Sequence, residues 1–412
     1  MKPRADDPIS VPAEPRGAAA ARLGRVFLLI GQLGLGGTEK QVVLLADGLR
    51  ARGVDARVLV MFEGGPREDE LRARGVPVEH LGFRRRPAGP RMLAGNVAAF
   101  VRLVGHLRRT RPQALHAFLF HSYVTAAPAA RLAGTPVLVA GRRGLAGFVR
   151  TRPLLRVVEA VATRMTDHLV ANARLVAEDA LRDGWVRRSK ITVVRNGLPA
   201  SAFDPVAPAA VPAPSPVVLC VGNLIAYKGH RYLLDAVARL RSRGSACTLV
   251  LVGDGPERPA LEGQAARLGI DVRFLGVRTD VGPLLARADV VALASLEEGM
   301  SNAVMEAMAA GRPVVATDVG GTGELLDGRG LLVPPADPEA LADGVERLLS
   351  DPGLAADLAA RARAWSRAHL SADAMVEQHV RLYADLVGRA RRPTAFRPAR
   401  RRRAPRTRRD IP

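Results

Sequence analysis

Cysteine and aromatic side chains are scarce in this sequence. Its 412 residues include 2 Cys, and Phe, Trp and Tyr together make up 4%. Cys220 and Cys247 each lie in or beside an apolar strand-like run, which argues against a disulfide framework or a cysteine metal site and makes a reducing compartment the default. Long apolar runs are missing as well: nothing approaches the ~18 uninterrupted residues of a membrane span. At the start, "MKPRADDPISVPAEPRGAAAARLG" places acids and prolines where a signal peptide requires an apolar centre. Residues 1–22 are therefore expected to form a disordered leader.

What is present is the pattern of a folded chain in more than one part. Hydrophobic residues make up 48%, interrupted every few positions by charge or glycine, and ~150 residues per domain gives two or three domains. The net charge of +21 is unevenly placed. Residues 1–200 hold 33 Lys+Arg against 16 Asp+Glu, net +17; residues 201–388 hold 17 against 23, net −6; from Arg389 onward there are 11 against 1, net +10. A basic first half joined to a mildly acidic second half points to one domain that meets an anionic surface and one that does not.

Apolar β-rich runs alternate with helical patterns: "RVFLLI", "TEKQVVLLADGLRARG", "DARVLVMF", "MLAGNVAAFVRLVGHLRR", "ALHAF", "PVLVAG", "LLRVVEAVATRM", "HLVAN", "KITVVRN". In the helix from Thr38, Val42, Leu45, Ala46 and Leu49 follow the i, i+3, i+4, i+7 spacing. Fully apolar strands separated by such helices indicate a parallel sheet covered on both faces. The prolines of "PVAPAAVPAPSP", residues 205–216, mark an extended linker, after which the alternation resumes with "VVLCVG". The expected class is α/β, with two doubly wound Rossmann-like domains at 23–204 and 217–370 facing a central cleft. A helix over 371–388 is expected to pack back on the first domain, and the Arg/Pro-rich residues 389–412 to be a disordered basic tail.

Three stretches stand at places suited to chemistry. In "LEEGMSNAVMEAMAAGRPVV" a strand gives way to a loop, with Ser301 as the expected N-cap and Gly311 at the end of the helix. Val304, Ala307 and Met308 share one apolar stripe, whereas Asn302 and Glu306, four apart, lie on the opposite side. Acids on a solvated helix face are one reading; a loop whose amides meet an anion at a helix start is the other. In "VGNLIAYKGH", Lys228 follows a strand end, and is either a surface lysine or a cation beside a diphosphate on which negative charge develops. "GQLGLGGTEK" is a glycine-rich turn that fails the dinucleotide fingerprint, because Glu39 stands where the third glycine belongs.

Together these stretches resemble the retaining, nucleotide-sugar-dependent glycosyltransferases of family 4, which have the two-Rossmann-domain GT-B fold. The resemblance runs from about Arg25 to Gly388, and "EEGMSNAVMEAMAAGRPVVATDVGGTGEL" is its most specific part. It implies that Glu298 contacts donor-sugar hydroxyls, that Glu306 holds the nucleotide ribose, and that the backbone of Gly299, Met300, Ser301 and Asn302 approaches the diphosphate. Gly36 and Gly37 match the family's N-terminal glycine loop. Two departures follow. Asn223 stands where many relatives carry Arg, which leaves Lys228 with more of the diphosphate stabilisation. "GRRG", with Arg142 and Arg143, stands where relatives often show a His; the nearest imidazoles are His116 and His121, and His121, starting a helix after a cleft-facing strand, is either a substitute or a structural histidine.

The resulting expectation is a hexosyltransferase with catalytic residues Lys228, Glu298 and His121, acting with anomeric retention. Its donor is a UDP- or GDP-sugar, with no bound cofactor, and its acceptor is a glycan or lipid-linked glycan in cell-surface polysaccharide, lipopolysaccharide or glycolipid assembly. The absence of any Asp-x-Asp triplet argues against the metal-dependent alternative glycosyltransferase fold, so no metal is expected. Two alternatives are a sugar-nucleotide epimerase of the same fold and a basic binding protein without catalysis. Tail residues "RPARRRRAPRTRRD" lack interleaved aromatics, so no specific nucleic acid is expected. An anionic membrane surface is the expected partner, with the protein peripheral at the inner face of the cell membrane in the cytoplasm. The stripe Val97, Phe100, Val101, Val104 and Leu107, with Arg102, Arg108, Arg109 and Arg111 nearby, either faces the core or faces that surface; Leu145 and Phe148 lie among further arginines.

Overall fold

The computed structural model describes residues 20–391 except 86–89, 146–149, 212 and 214–215. Phe148 and residues 392–412 of the expected tail lie outside the described residues.

Two parallel sheets form the frame. The first contains β1 (Arg25–Ile30), β2 (Asp55–Val60), β3 (Val78–His80), β4 (Ala114–Phe118), β5 (Val137–Arg142), β6 (His168–Ala171) and β7 (Ile191–Val193), in the order β3-β2-β1-β4-β5-β6-β7. The second contains β8 (Val217–Val221), β9 (Thr248–Val252), β10 (Val272–Phe274), β11 (Val290–Leu293), β12 (Val314–Thr317) and β13 (Leu331–Val333), in the order β10-β9-β8-β11-β12-β13. Helices on both faces bury the central strands: every residue of β4, β5, β9, β11 and β12 is buried. Continuous apolar runs are what such strands require.

Each sheet reverses its winding once, between β1 and β4 and between β8 and β11. At a reversal the loops leaving two adjacent strands diverge, and a crevice opens beyond their carboxyl ends. The loops after β1, β4, β8 and β11 therefore carry the candidate site.

The chain crosses between the sheet units twice, and the crossings are joined. Leu198 N–H donates to Leu370 O at 2.7 Å, and Ala372 N–H donates to Leu198 O at 2.8 Å. Beyond this point the helix Ala372–Arg391 buries Met375, Val376, Val380 and Tyr383 in one cluster with Val42, Leu45 and Leu49 of the first unit. That helix runs through Arg389, whose guanidinium pairs with Asp385 one turn earlier, so it extends past the expected tail boundary. Ala20, inside the expected leader, is buried against the same cluster. In the linker Ala209, Val211 and Ala213 pack on a core cluster that spans both units, from Leu169 and Ala177 to Leu284 and Val304. Among the described residues no helix is long and apolar enough to cross a membrane.

Candidate active site

Lys228 and Glu298 leave adjacent strands at the second sheet's reversal. Gly229, directly after Lys228, adopts φ +66, and a Cβ there would meet Ala294 O at 2.0 Å; only glycine fits so close an approach. Leu296 N–H donates to Tyr227 O at 2.7 Å, which locks the loop after β8 onto the loop after β11. The two side chains consequently meet: Lys228 Nζ lies 2.5 Å from Glu298 Oε1, and Ser295 Oγ donates to the same oxygen at 2.8 Å. Glu298 is buried while Lys228 retains one open side, with side-chain exposures of 9% and 21%. Asn223 opens the same loop and is exposed.

Ser301 caps the helix Asn302–Ala309, its hydroxyl accepting from Val304 N–H at 3.4 Å. Met300, Val304, Ala307 and Met308 are buried in the core cluster that includes Val291 and Val314 of the second sheet. Met300 and Ser301 thus spend their side chains on packing and capping, and only their backbone is left for a ligand. Asn302 and Glu306 point the other way, across the cleft.

There they meet residues of the first unit. Glu306 Oε1 lies 2.5 Å from Lys40 Nζ. Asn302 Nδ2 donates to Gly37 O at 3.0 Å, while Asn302 Oδ1 accepts from Asn196 Nδ2 at 2.9 Å. Gly36 is the N-cap of the helix Gly37–Arg50, which holds Lys40 and Gln41 on its first turns. Gln41 exchanges two hydrogen bonds with Gly197, at 2.9 and 2.7 Å, and so fixes that helix on the interdomain crossing. A Cβ at Gly299 would meet Arg143 O at 2.0 Å, another measure of how closely the cleft walls approach. Farther along the cleft, Glu324 Oε1 accepts the amides of Arg174 and Leu175 at 2.6 and 3.3 Å, capping a first-unit helix from the second unit.

Two ammonium groups and two carboxylates therefore face one seam. That set is matched to a ligand with hydroxyls at one end and a diphosphate at the other: the carboxylates can accept from hydroxyls while the ammoniums turn to phosphate oxygens. Burial raises the pKa of neighbouring Glu297 and Tyr227, both at this reversal. Two surface depressions of about 630 and 360 Å³ around Gly311, Ala356 and Ala359 hold none of these residues.

Of the candidates on the first sheet's reversal, His121 is exposed at the start of the helix Phe120–Ala133, edge-on to Phe62 and Phe120 at 6.2 and 5.5 Å. Desolvation among these rings, with Arg85 nearby, holds its imidazole below the usual range. His116 is fully buried in β4, with Nδ1 2.6 Å from Tyr383 OH. Arg142 is buried and paired with Asp183, Asp179 and Glu159 at 3.3, 3.4 and 3.7 Å. Arg143, also buried, donates to Asn196 Oδ1 at 2.8 Å and lies over the Phe118 ring, and burial lowers its pKa to about 10. Neither arginine opens on the cleft as a substitute for the histidine. Leu145 packs on the core cluster that contains Ala173, Leu293 and Met300 instead of facing outward.

Comparison with known proteins decides the family. The family described as "Glycosyl transferase 4-like domain" matches residues 36–197, and "Glycosyl transferases group 1" matches residues 215–351. The chain is also 31% identical over 366 residues to a glycogen synthase of Mycobacterium tuberculosis, covering 80% of this chain and 86% of that one. It belongs to the group 1 glycosyl transferases of family 4. As a member it is a retaining, nucleotide-sugar-dependent glycosyltransferase of the GT-B fold, which sets aside the epimerase and the non-catalytic readings. The chain is 29% identical over 360 residues to the lipopolysaccharide core biosynthesis glycosyltransferase LpsE of Rhizobium meliloti, with 85% and 96% coverage. The crystal structure of Anabaena HepE in complex with UDP and glucose superposes with a TM-score of 0.74 at 25% identity, covering 86% of this chain and 97% of HepE.

Lys40, Gln41, Asn196 and Ser295 are the site-lining residues that sequence reasoning passed over. Lys40 carried a usable signal: it ends the "GGTEK" run one helical turn after Gly36, where a side chain points along the helix start.

Proposed function

We propose that this glycosyltransferase moves a hexosyl residue from a UDP- or GDP-sugar to a glycan or lipid-linked glycan in cell-surface polysaccharide or glycolipid assembly, working at an anionic membrane surface. The observation that carries the donor half is the convergence of Lys228, Glu298 and Glu306 on one seam, in a family that uses nucleotide sugars. HepE, bound to UDP and glucose, supports that class of donor. LpsE, a lipopolysaccharide core enzyme by name, supports the class of acceptor.

In this reading Glu306 takes the ribose hydroxyls and Glu298 the sugar hydroxyls, both as acceptors. The helix-start amides at Gly299 to Asn302 and the Lys228 ammonium meet the diphosphate. As the bond from the anomeric carbon to the diphosphate breaks, negative charge grows on the leaving oxygen, and a fixed ammonium stabilises it most at that moment. Ser295 and Glu298 hold Lys228 in place before the donor arrives. Asn223 supplies no second cation, so Lys228 bears this task with Lys40 as the nearest other ammonium at the seam. His121, on the acceptor-side rim, contacts the acceptor or a sugar hydroxyl. Mass spectrometry of products from a panel of UDP- and GDP-hexoses with glycan and lipid-linked acceptors, with NMR of the anomeric proton, tests the proposal. Product gained by one hexose, with the α or β configuration of its donor kept, supports it; no transfer from any nucleotide hexose overturns it.

A further inference from the structure

One face of the first unit is built differently from the rest. The helices Pro90–Thr110 and Pro153–Met165 flank the helix Phe120–Ala133 on one side of the first sheet. Leu103, Leu107, Tyr123, Ala126 and Ala162 from these three helices share a core cluster. Each outer helix also carries a second apolar stripe that the core does not use. Leu93, Val97 and Val101, four residues apart, are 60%, 57% and 62% exposed; Leu154, Val157 and Val161 are 74%, 61% and 53% exposed. The stripe expected from the sequence therefore divides: Leu107 is buried, Phe100 and Val104 pack partly on the cluster, and Val97 and Val101 turn outward.

The three helices are basic. Over residues 90–110, 120–133 and 153–165 the sequence holds seven arginines and one carboxylate, Glu159, and Glu159 is buried against Tyr123 and Arg142. Arg102, Arg108, Arg156 and Arg164 are exposed on the outer helices. Arg102 donates to Leu81 O at 3.0 Å and Arg108 to Leu132 O at 2.9 Å; a carbonyl orients a guanidinium without cancelling its charge.

We infer that the outer face of helices Pro90–Thr110 and Pro153–Met165 is a docking surface for an anionic lipid bilayer, with the two exposed aliphatic stripes entering the interface and the surrounding arginines meeting the headgroups. This rests on the membrane-surface reading above and names the face that makes the contact. Exposed aliphatics ringed by cations, with no exposed carboxylate on the three helices, match a negative leaflet, where each arginine contributes on the order of 1 kcal/mol. A second copy of the same face would set arginine against arginine, which like-charge repulsion opposes. Orientation favours function: both outer helices start from the carboxyl-end side of their strands, the side of the cleft, so Leu93 and Leu154 lie toward the rim that carries His121. A lipid-linked acceptor held in the leaflet would present its headgroup there.

Flotation of the full chain with phosphatidylcholine vesicles and with vesicles containing phosphatidylglycerol tests the face, using the pairs Val97→Glu with Val101→Glu and Leu154→Glu with Val157→Glu. All four residues are exposed, so the fold should hold, and calorimetric affinity for UDP or GDP reads the donor site independently. The expected result is flotation with the anionic vesicles alone, weakened by salt. Each pair lowers the partition coefficient on the order of tenfold with nucleotide affinity unchanged. Equal flotation with both vesicle types, none with either, or variants that float like the parent would overturn the inference, as would a solution dimer that either pair dissociates. Retained flotation with no nucleotide affinity would strike the donor reading and leave this face standing.

Discussion

The two sheet units share one architecture and differ in what they show to solvent. Among the described residues, ten of the thirteen exposed large hydrophobics precede residue 200, so the first unit holds most of the apolar surface without an internal partner. Charge differs as well: residues 201–388 hold 17 Lys+Arg against 23 Asp+Glu, and there a surface arginine such as Arg243 finds three carboxylates, Glu339, Asp343 at 2.7 Å and Glu346 at 3.0 Å. The same fold thus yields one unit with little exposed apolar surface and a mildly acidic balance, with its function concentrated in two loops, and one that is basic and leaves its apolar stripes open. Position of the winding reversal fixes where each site lies, while the helix exteriors decide what else each unit meets.

If the second unit holds the reacting end of the donor, Lys228→Ala has the largest effect. Turnover should fall by about 100-fold or more, because a fixed positive charge at a leaving group has that order of effect. Turnover that EDTA abolishes while Lys228→Ala leaves it intact would show that a metal ion and not this ammonium stabilises the leaving group. Glu298→Ala should lower turnover by about tenfold with a smaller change in nucleotide affinity, since it aligns the sugar and not the base; steady-state kinetics beside calorimetry separates the two.

Acid should destabilise both units through buried imidazoles. Burial pushes His168 of the first unit and His230 of the second down to about 4. Between that value and the ordinary 6.5 the unfolded chain binds more protons, so stability is full at neutral pH and falls as pH drops through this window. Each such histidine contributes a slope of about 1.4 kcal/mol per pH unit. Urea midpoints that do not fall from pH 7 to pH 5 would show that these imidazoles are not held neutral. The smallest effect belongs to the cross-cleft contact: Lys40→Met should change nucleotide affinity by only a few fold, because the pair it breaks is partly solvated. A change as large as that from Lys228→Ala would place the decisive cation in the first unit.

Much of this was readable from the residues. Alternating fully apolar runs and amphipathic helices gave away two parallel sheets, and the spacing of Asn302 and Glu306 against Val304 and Met308 set which side of their helix faces the cleft. Pairings across the cleft were not readable, since Lys40 and Glu306 are 266 residues apart and meet only because the crossings at Leu198 and Leu370 hold the units together. Periodicity also could not apportion the helix Pro90–Thr110, whose apolar residues serve two faces. Nor did "GRRG" tell what occupies Arg142 and Arg143, because their partners Asp179, Asp183 and Asn196 come from later elements.

If the loop and helix after β11 hold the donor nucleotide, Glu306 is the side chain whose loss the nucleotide should feel. Calorimetric titration of UDP and GDP into the parent protein and into folded Glu306→Gln measures this. The parent should bind at least one of the two, and the variant should bind it about tenfold more weakly, through loss of a charged acceptor for ribose hydroxyls. Equal affinity in the two proteins would place the nucleotide elsewhere.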